Sequence, residues 1–398
     1  MADRKALAMD VGRENSRWRS LMIAFPPPPS RHHDIAEDRR PRYVAGIMTR
    51  GSGVEDSAAP LRQIWYYALP GSRLRPGQTV PRVFLGEPIL IGRDRTGAVF
   101  ALRDLCPHRG IPLSEGRFDG AEVECRFHGW RFDRAGHCTL IPSLTADDRF
   151  EPGRIRVKSY PTREVQGNVW IFFGDEPEQA AEIPILPAVG EAQKPGLTMS
   201  MRVPCSIDAA VFGQMDPTHN PFVHVSWWWR RHGSIVEKEK AYAPAPYGFT
   251  MLPHRPSGNL LPYKLLGGTP ETQVFFRLPS TRIEHIHFGR HWFVTLNTVT
   301  PVGDTEIEMS YAAYWSTPWL SAIAPLVKWG LRIFAFQDRE ILTLQSRGLK
   351  HNPSLMFVDD ADTQAKWYHR LKNEYARAQR EGRPFANPVR ERVLRFRS

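Results

Sequence analysis

From Ile64 onward, short apolar runs alternate with turn residues. Ile64 to Ala68, Arg82 to Leu85, Pro88 to Gly92 and Ala98 to Leu102 are each strand-length, and Asp94-Arg-Thr-Gly97 separates the last two. This pattern predicts strands joined by tight hairpins. It continues through Val123 to Phe132, the turn Asp133-Arg-Ala-Gly136, and a hairpin of Tyr160 to Val165 with Val169 to Phe173 across Gln166-Gly-Asn168. Residues 60–174 therefore read as one small all-β domain. Residues 175–197 form a connector whose Ile183-Pro-Ile-Leu-Pro187 is too rich in proline for a helix or central strand. Beyond it, Asp208 to Met215 predicts a helix, and Gln273 to Leu278, Thr281 to Phe288, His291 to Val302 and Glu306 to Trp315 predict four strands of an antiparallel sheet. Trp329 to Leu349 and Ala361 to Arg380 predict further helices. Residues 198–385 are thus an α+β domain, and 386–398 read as a basic tail. Residues 1–58 are rich in Arg, Asp and Pro without an apolar period, which predicts a disordered extension, with Met48 as an alternative start.

Composition narrows this picture only a little. Of 398 residues, 41% are hydrophobic and 11% aromatic, enough for a sizeable core. A formal charge of +11 points to anionic partners without choosing among nucleic acid, an anionic membrane and an acidic redox protein. Four cysteines in so long a chain give no disulfide framework, which implies a reducing, cytoplasmic setting with thiols free for metal. The N-terminal stretch lacks a secretory pattern. The uncharged run Met309 to Val327 carries Pro318 and Pro325 and reads as a buried strand and helix rather than a membrane span.

Candidate chemistry changes the picture most. Cys106-Pro-His108-Arg-Gly is followed, 16 residues after His108, by Cys125-Arg-Phe-His128-Gly-Trp130. Two thiolates and two imidazoles can share a [2Fe-2S] cluster, sulfurs on one iron and histidines on the other; tetrahedral zinc accepts the same residue types. The usual zinc finger pairs its cysteines on a hairpin and its histidines on a helix, whereas here each loop supplies one of each, which favours the cluster. The second signal is Asp216-Pro-Thr-His219-Asn-Pro-Phe-Val-His224. Residues five apart lie about 140° beyond a full helical turn, so an unbroken helix would not aim both imidazoles at one ion. Pro221 predicts a bend that converges them. Taken alone, such a segment is more often a buried or surface histidine pair than a set of ligands.

Together these motifs resemble the oxygenase (α) component of Rieske non-haem iron oxygenases, over residues 60 to about 380. The wording Met215 to His224 is similar to the branch that contains pheophorbide and chlorophyllide oxygenases and bacterial O-demethylases. The resemblance implies a Rieske domain followed by a helix-grip catalytic domain, and a mononuclear Fe(II) held by His219, His224 and a carboxylate from a late helix. That carboxylate is Asp338 in Phe336-Gln-Asp338-Arg-Glu340, with Glu340 as the fallback. It also implies that Asp216 links a cluster histidine of one subunit to an iron-ligating histidine of the next in a homotrimer. The expected activity is O2-dependent hydroxylation or O- or N-demethylation of an aromatic or polycyclic substrate. Electrons would come from a separate ferredoxin or NAD(P)H reductase, since no Gly-rich nucleotide loop appears in the chain. A departure from the family is Phe212-Gly213, where members often carry an amide or acid. Trp227, Trp228, Trp229, Trp292 and Phe293 are candidates to line a substrate cavity, and His285, His287 and His291 to reach a polar substituent; such aromatics are more often plain core, and such histidines more often satisfied structural ones. The competing classes are a Rieske electron carrier without oxygenase activity and a zinc-stapled nucleic-acid binder.

Overall fold

The computed structural model describes residues 46–47, 59–178, 181–225, 235–256 and 269–398. Apart from the backbone pairing of Gly46–Ile47 with Met356–Phe357, the extension expected over 1–58 lies outside these residues, as do Trp227, Trp228 and Trp229. Val44–Ser398 is one compact unit, and no helix among the described residues is long and apolar enough to cross a membrane.

Three small antiparallel sheets build the N-terminal part. Thr162–Val165, Asn168–Phe173 and Ile64–Pro70 form one; Ser159–Tyr160, Val99–Arg103, Glu87–Arg93 and Gln78–Phe84 form the second. The third, Arg117–Phe118, Val123–Glu124, Arg131–Phe132 and Cys138–Leu140, carries the Cys/His loops. The C-terminal part is an eight-stranded antiparallel sheet in the order Leu197–Val203, Glu306–Trp315, His291–Gly303, Thr281–Phe288, Glu271–Arg277, Gly248–His254, Glu237–Ala245, Arg392–Arg397. Among the described residues, five helices accompany it: α1 (Ile207–Met215), α2 (Asn220–Val223), α3 (Trp319–Ala322), α4 (Ala324–Leu349) and α5 (Thr363–Glu381).

Strand Ile64–Pro70 is buried along its whole length because it is sandwiched. Ile64, Tyr66 and Ala68 join a core with α1, Leu342 and Tyr375, while Trp65 and Tyr67 join Ile283, Val294, Leu296 and Tyr314 of the large sheet. The change of architecture near 175–197 is thus not a gap in packing. The connector is itself held down: Ile183, Leu186 and Val189 are buried, and the Gln166 amide donates to the Leu186 and Val189 carbonyls while its Oε1 accepts from Leu186 N–H.

Four strands of the large sheet escaped the sequence pattern: Leu197–Val203, Glu237–Ala245, Gly248–His254 and Arg392–Arg397. The last corrects the expected tail. Residues 392–397 pair with Glu237–Tyr242, and Leu394 and Phe396 are buried while Val393, Arg395 and Arg397 face out. A two-residue apolar alternation inside a run of arginines is too faint to read as a strand until the neighbouring strand supplies hydrogen bonds. Burying two such side chains contributes about 3–6 kcal/mol. Deleting residues 391–398 is therefore expected to lower stability by that order, which a urea midpoint would show; an unchanged midpoint would mean that the strand is dispensable.

Candidate metal centres

The two Cys/His loops are built alike. In each, the Cys N–H donates to the carbonyl five residues on (Cys106 to Ile111, Cys125 to Trp130), and the glycine four residues on donates back to the Cys carbonyl. Gly110 and Gly129 both sit at φ +70, the left-handed region that a side chain disfavours, which explains a glycine at the same offset in both motifs. Asp104 braces the first loop by accepting from Ser114 N–H at 2.7 Å and Ser114 Oγ at 2.6 Å. Trp130 stacks on the His108 ring at 4.5 Å and 4°, fixing its plane.

These loops bring Cys106, His108, Cys125 and His128 to one tip. The thiols are buried and the imidazole rings lie 4.6 Å apart. Burial, and then the adjoining Cys125 thiol, pushes the Cys106 thiol up to about 11. Among the described residues, His219, His224 and Asp338 are the trio whose ligand atoms all lie within 4.8 Å of one another; no three of the tip residues close up in that way. A thiol pair and an imidazole pair suit the two irons of a [2Fe-2S] cluster, and the buried Nδ1 of His108 makes no hydrogen bond, which leaves it a free donor atom. Cys138 is buried in the same small core as Cys106 and Cys125, but its Sγ is directed at Leu140 O, and Cys205 lies in the large core.

The second centre begins with α1. Ser206 caps it, accepting from Ala209 N–H at 3.4 Å, and Asp208 at its first turn binds buried Lys372 at 2.8 Å and the Tyr368 hydroxyl at 2.8 Å, both on α5. Phe212 packs on Tyr368, His369 and Phe357, so the position where a polar group was in doubt is apolar core. The helix ends at Asp216. His219 and His224 then flank the single turn α2, and their Nε2 atoms are 3.1 Å apart; the bend expected at Pro221 is not what converges them, since Pro221 sits in the first turn of α2, where proline is tolerated, and the chain leaves helical geometry at His224.

Asp338 completes the site from 114 residues away. Ala335, Asp338 and Leu342 share one face of α4 by helical spacing, and Ala335 and Leu342 are buried. Asp338 Oδ1 lies 3.3 Å from His224 Nε2 and 3.7 Å from His219 Nε2. Facial ligands at about 2.1 Å from a metal stand about 3 Å from one another, so the three atoms fit one ion with coordination positions left over. Glu340 is exposed, as expected of a solvated helix face.

Asp216 stands behind His219. Its Oδ1 accepts from Thr218 N–H at 2.7 Å and Thr218 Oγ1 at 2.6 Å, and its Oδ2 faces His219 Nδ1 at 3.5 Å. Burial works to raise the Asp216 carboxyl, but the His219 ring and Thr218 outweigh it and hold the group below its ordinary value. Burial likewise works to lower His219, and the Asp216 carboxylate reverses the sign. His224 is pushed down to about 4 by burial and by His219, which keeps it neutral. Burial raises Asp338 to about 6 against the pull of His219 and Arg282.

Those directions give a pH dependence. A raised folded-state pKa, for Asp338 and for His219, stabilises the metal-free protein at low pH, and that contribution is lost as pH rises through the folded value. A cation requires both groups deprotonated. Fe(II) affinity of the iron-depleted protein is thus expected to climb steeply from pH 5 to about 7, measurable by chelator competition. An affinity flat over this range would contradict the roles assigned to Asp338 and His219.

The remaining expectations divide by sheet face. Ile283 and Val294 face the core shared with the N-terminal part, so by strand alternation His285, His287 and Trp292 point there, away from α4. Phe293 takes the α4 side, stacked on Trp315 at 4° and packed near Leu320 and Leu331. Sequence reading missed Thr218 and Gln337. An Asp-x-Thr turn could have signalled the first; nothing local signals the second, whose partners lie 112 and 113 residues away.

An all-β tip bears the paired Cys/His loops, and the helices beside the large sheet bring two histidines and a carboxylate together around one possible metal position. Residues 64–161 match the Rieske [2Fe-2S] domain, and the homologues of the chain are Rieske mono- and dioxygenases. The chain is 35% identical over 145 residues to the 4beta-methylsterol monooxygenase of Methylococcus capsulatus, covering 36% of each chain. It is 28% identical over 374 residues to Cholesterol 7-desaturase nvd 1 of Ciona intestinalis, covering 83% of this chain and 73% of that one. Its fold matches dicamba monooxygenase bound to 3,6-dichlorosalicylic acid with a TM-score of 0.66 at 20% identity, over 81% of this chain and 99% of that one. Its matches span only 30–38% of the length of several curated relatives.

Proposed function

We propose that the chain is a terminal oxygenase. It takes electrons one at a time from a separate ferredoxin or NAD(P)H reductase and uses O2 to hydroxylate, or O- or N-demethylate, an aromatic or polycyclic substrate. The observation that carries this reading is the coexistence of the split Cys/His pairs with the convergent His219, His224 and Asp338. An electron carrier has no use for the second set, and neither has a zinc-stapled binder.

Cys106, His108, Cys125 and His128 would hold the cluster, and His219, His224 and Asp338 the iron; when bound, these supply single-electron transfer and dioxygen activation, respectively. The protein's own part is orientation. Thr218 fixes one oxygen of Asp216, leaving the other for the His219 ring. The Asp216 side chain keeps 31% of its surface accessible and His128 is exposed at the tip, so Asp216 can reach His128 of the partner subunit in a homotrimer. This bridge would orient both rings and join the two centres.

Incubating the protein with a surrogate reductase, NADH, O2 and a panel of methoxylated and polycyclic compounds tests the reading. Formaldehyde release marks demethylation, and a hydroxylated product marks hydroxylation. Iron analysis giving about two irons per chain, all in the cluster, would instead identify an electron carrier.

A further inference from the structure

We infer that Gln337 is a positioning residue that sets the tautomer of His224, so that its Nε2 lone pair is presented to the metal. The inference rests on His219, His224 and Asp338 being the iron site. Gln337 makes two hydrogen bonds of opposite sense. Its Nε2 lies 3.3 Å from the Val225 carbonyl, and its Oε1 lies 3.2 Å from His224 Nδ1.

A carbonyl oxygen only accepts, so Val225 selects the NH2 end of the amide. The Oε1 end is then fixed toward His224, and because it too only accepts, Nδ1 must carry the ring proton. A neutral imidazole has one N–H, so Nε2 keeps its lone pair. That atom faces Asp338 Oδ1 at 3.3 Å and His219 Nε2 at 3.1 Å. The ring has little freedom to choose otherwise: His224 is 7% exposed and Phe334 packs on it at 4.9 Å.

The two imidazoles are thereby served differently. Asp216, a charged group three residues before His219, stands behind one, and a neutral amide from a distant helix stands behind the other. Because Gln337 immediately precedes Asp338, one helical segment supplies a ligand and orients a second.

The test compares Gln337→Leu, which removes the acceptor, with Gln337→Glu, which keeps an oxygen at His224. Fe(II) dissociation constants of the iron-depleted mononuclear site are measured by chelator competition, alongside the cluster spectrum and the melting temperature of the iron-depleted protein. Expected are a 10- to 100-fold loss of Fe(II) affinity in Gln337→Leu, affinity within about threefold of the parent in Gln337→Glu, and an unchanged cluster spectrum in both. Parent-like affinity in Gln337→Leu, or equal losses in both variants, overturns the inference. Should Gln337→Leu fold poorly, solid-state 15N spectra of the iron-depleted parent decide, with His224 resonances identified by their loss in His224→Ala: protonated Nδ1 supports the inference and protonated Nε2 overturns it. If instead His224→Ala leaves Fe(II) binding intact, it is the iron site itself that is misassigned.

Discussion

Asp216→Asn is expected to leave the red-brown cluster unchanged and yet slow turnover by about two orders of magnitude. Both Thr218 donors rest on Asp216 Oδ1, so the substituted amide would keep its oxygen there and turn its NH2 toward His219 Nδ1. A ring that gives Nε2 to a metal carries its proton on Nδ1, so two donors would then face one another where an ion-assisted contact stood. The same NH2 would face His128 of the partner subunit and could accept from neither ring. None of the three iron ligands is removed, so saturating Fe(II) should still fill the site, with affinity weaker by about tenfold. The decisive measurement is single-turnover oxidation of the pre-reduced cluster at saturating Fe(II), in which the variant should reoxidise slowly. Parent-like reoxidation would mean that electrons take another route, and a cluster bleached by the substitution would make Asp216 structural.

The second large effect separates the two centres. His219→Ala, His224→Ala and Asp338→Ala should each drop the iron content from about three per chain to about two while preserving the visible spectrum, since a [2Fe-2S] cluster accounts for two. Product formation should vanish in all three. Glu340→Ala should change neither quantity, because its side chain is exposed. Iron loss in Glu340→Ala with retention in Asp338→Ala would exchange their roles.

Much of the local chemistry was legible along the chain because it is made by local turns. Cys106 to Gly110 and Cys125 to Gly129 each close on themselves through hydrogen bonds four and five residues long, and the positive φ of each glycine writes itself into the sequence. The closeness of His219 and His224 in sequence was legible, but the expected cause was not the one found: Pro221 sits in the first turn of α2, where proline is tolerated, and the chain leaves helical geometry at His224. The strands Thr281–Phe288, His291–Gly303 and Glu306–Trp315 announced themselves by length and β-branched or aromatic content.

What the sequence could not determine depends on partners far along the chain. Arg392–Arg397 became a strand only because Glu237–Ala245 offered it an open edge, and two buried apolar side chains among arginines carry no independent signal. The face on which His285, His287 and Trp292 lie was set by how the N-terminal sheets pack on the large one, since alternation tells which residues share a face and not what covers it. Asp338 lies beside His219 and His224, and not in the solvent with Glu340, because Ala335 and Leu342 seat that side of α4 in the core. Gln337 was invisible for the deepest reason: its role consists of two hydrogen bonds whose donor and acceptor come together only when α4 lies against the turn after α2, and a long-range polar contact leaves no periodicity behind it.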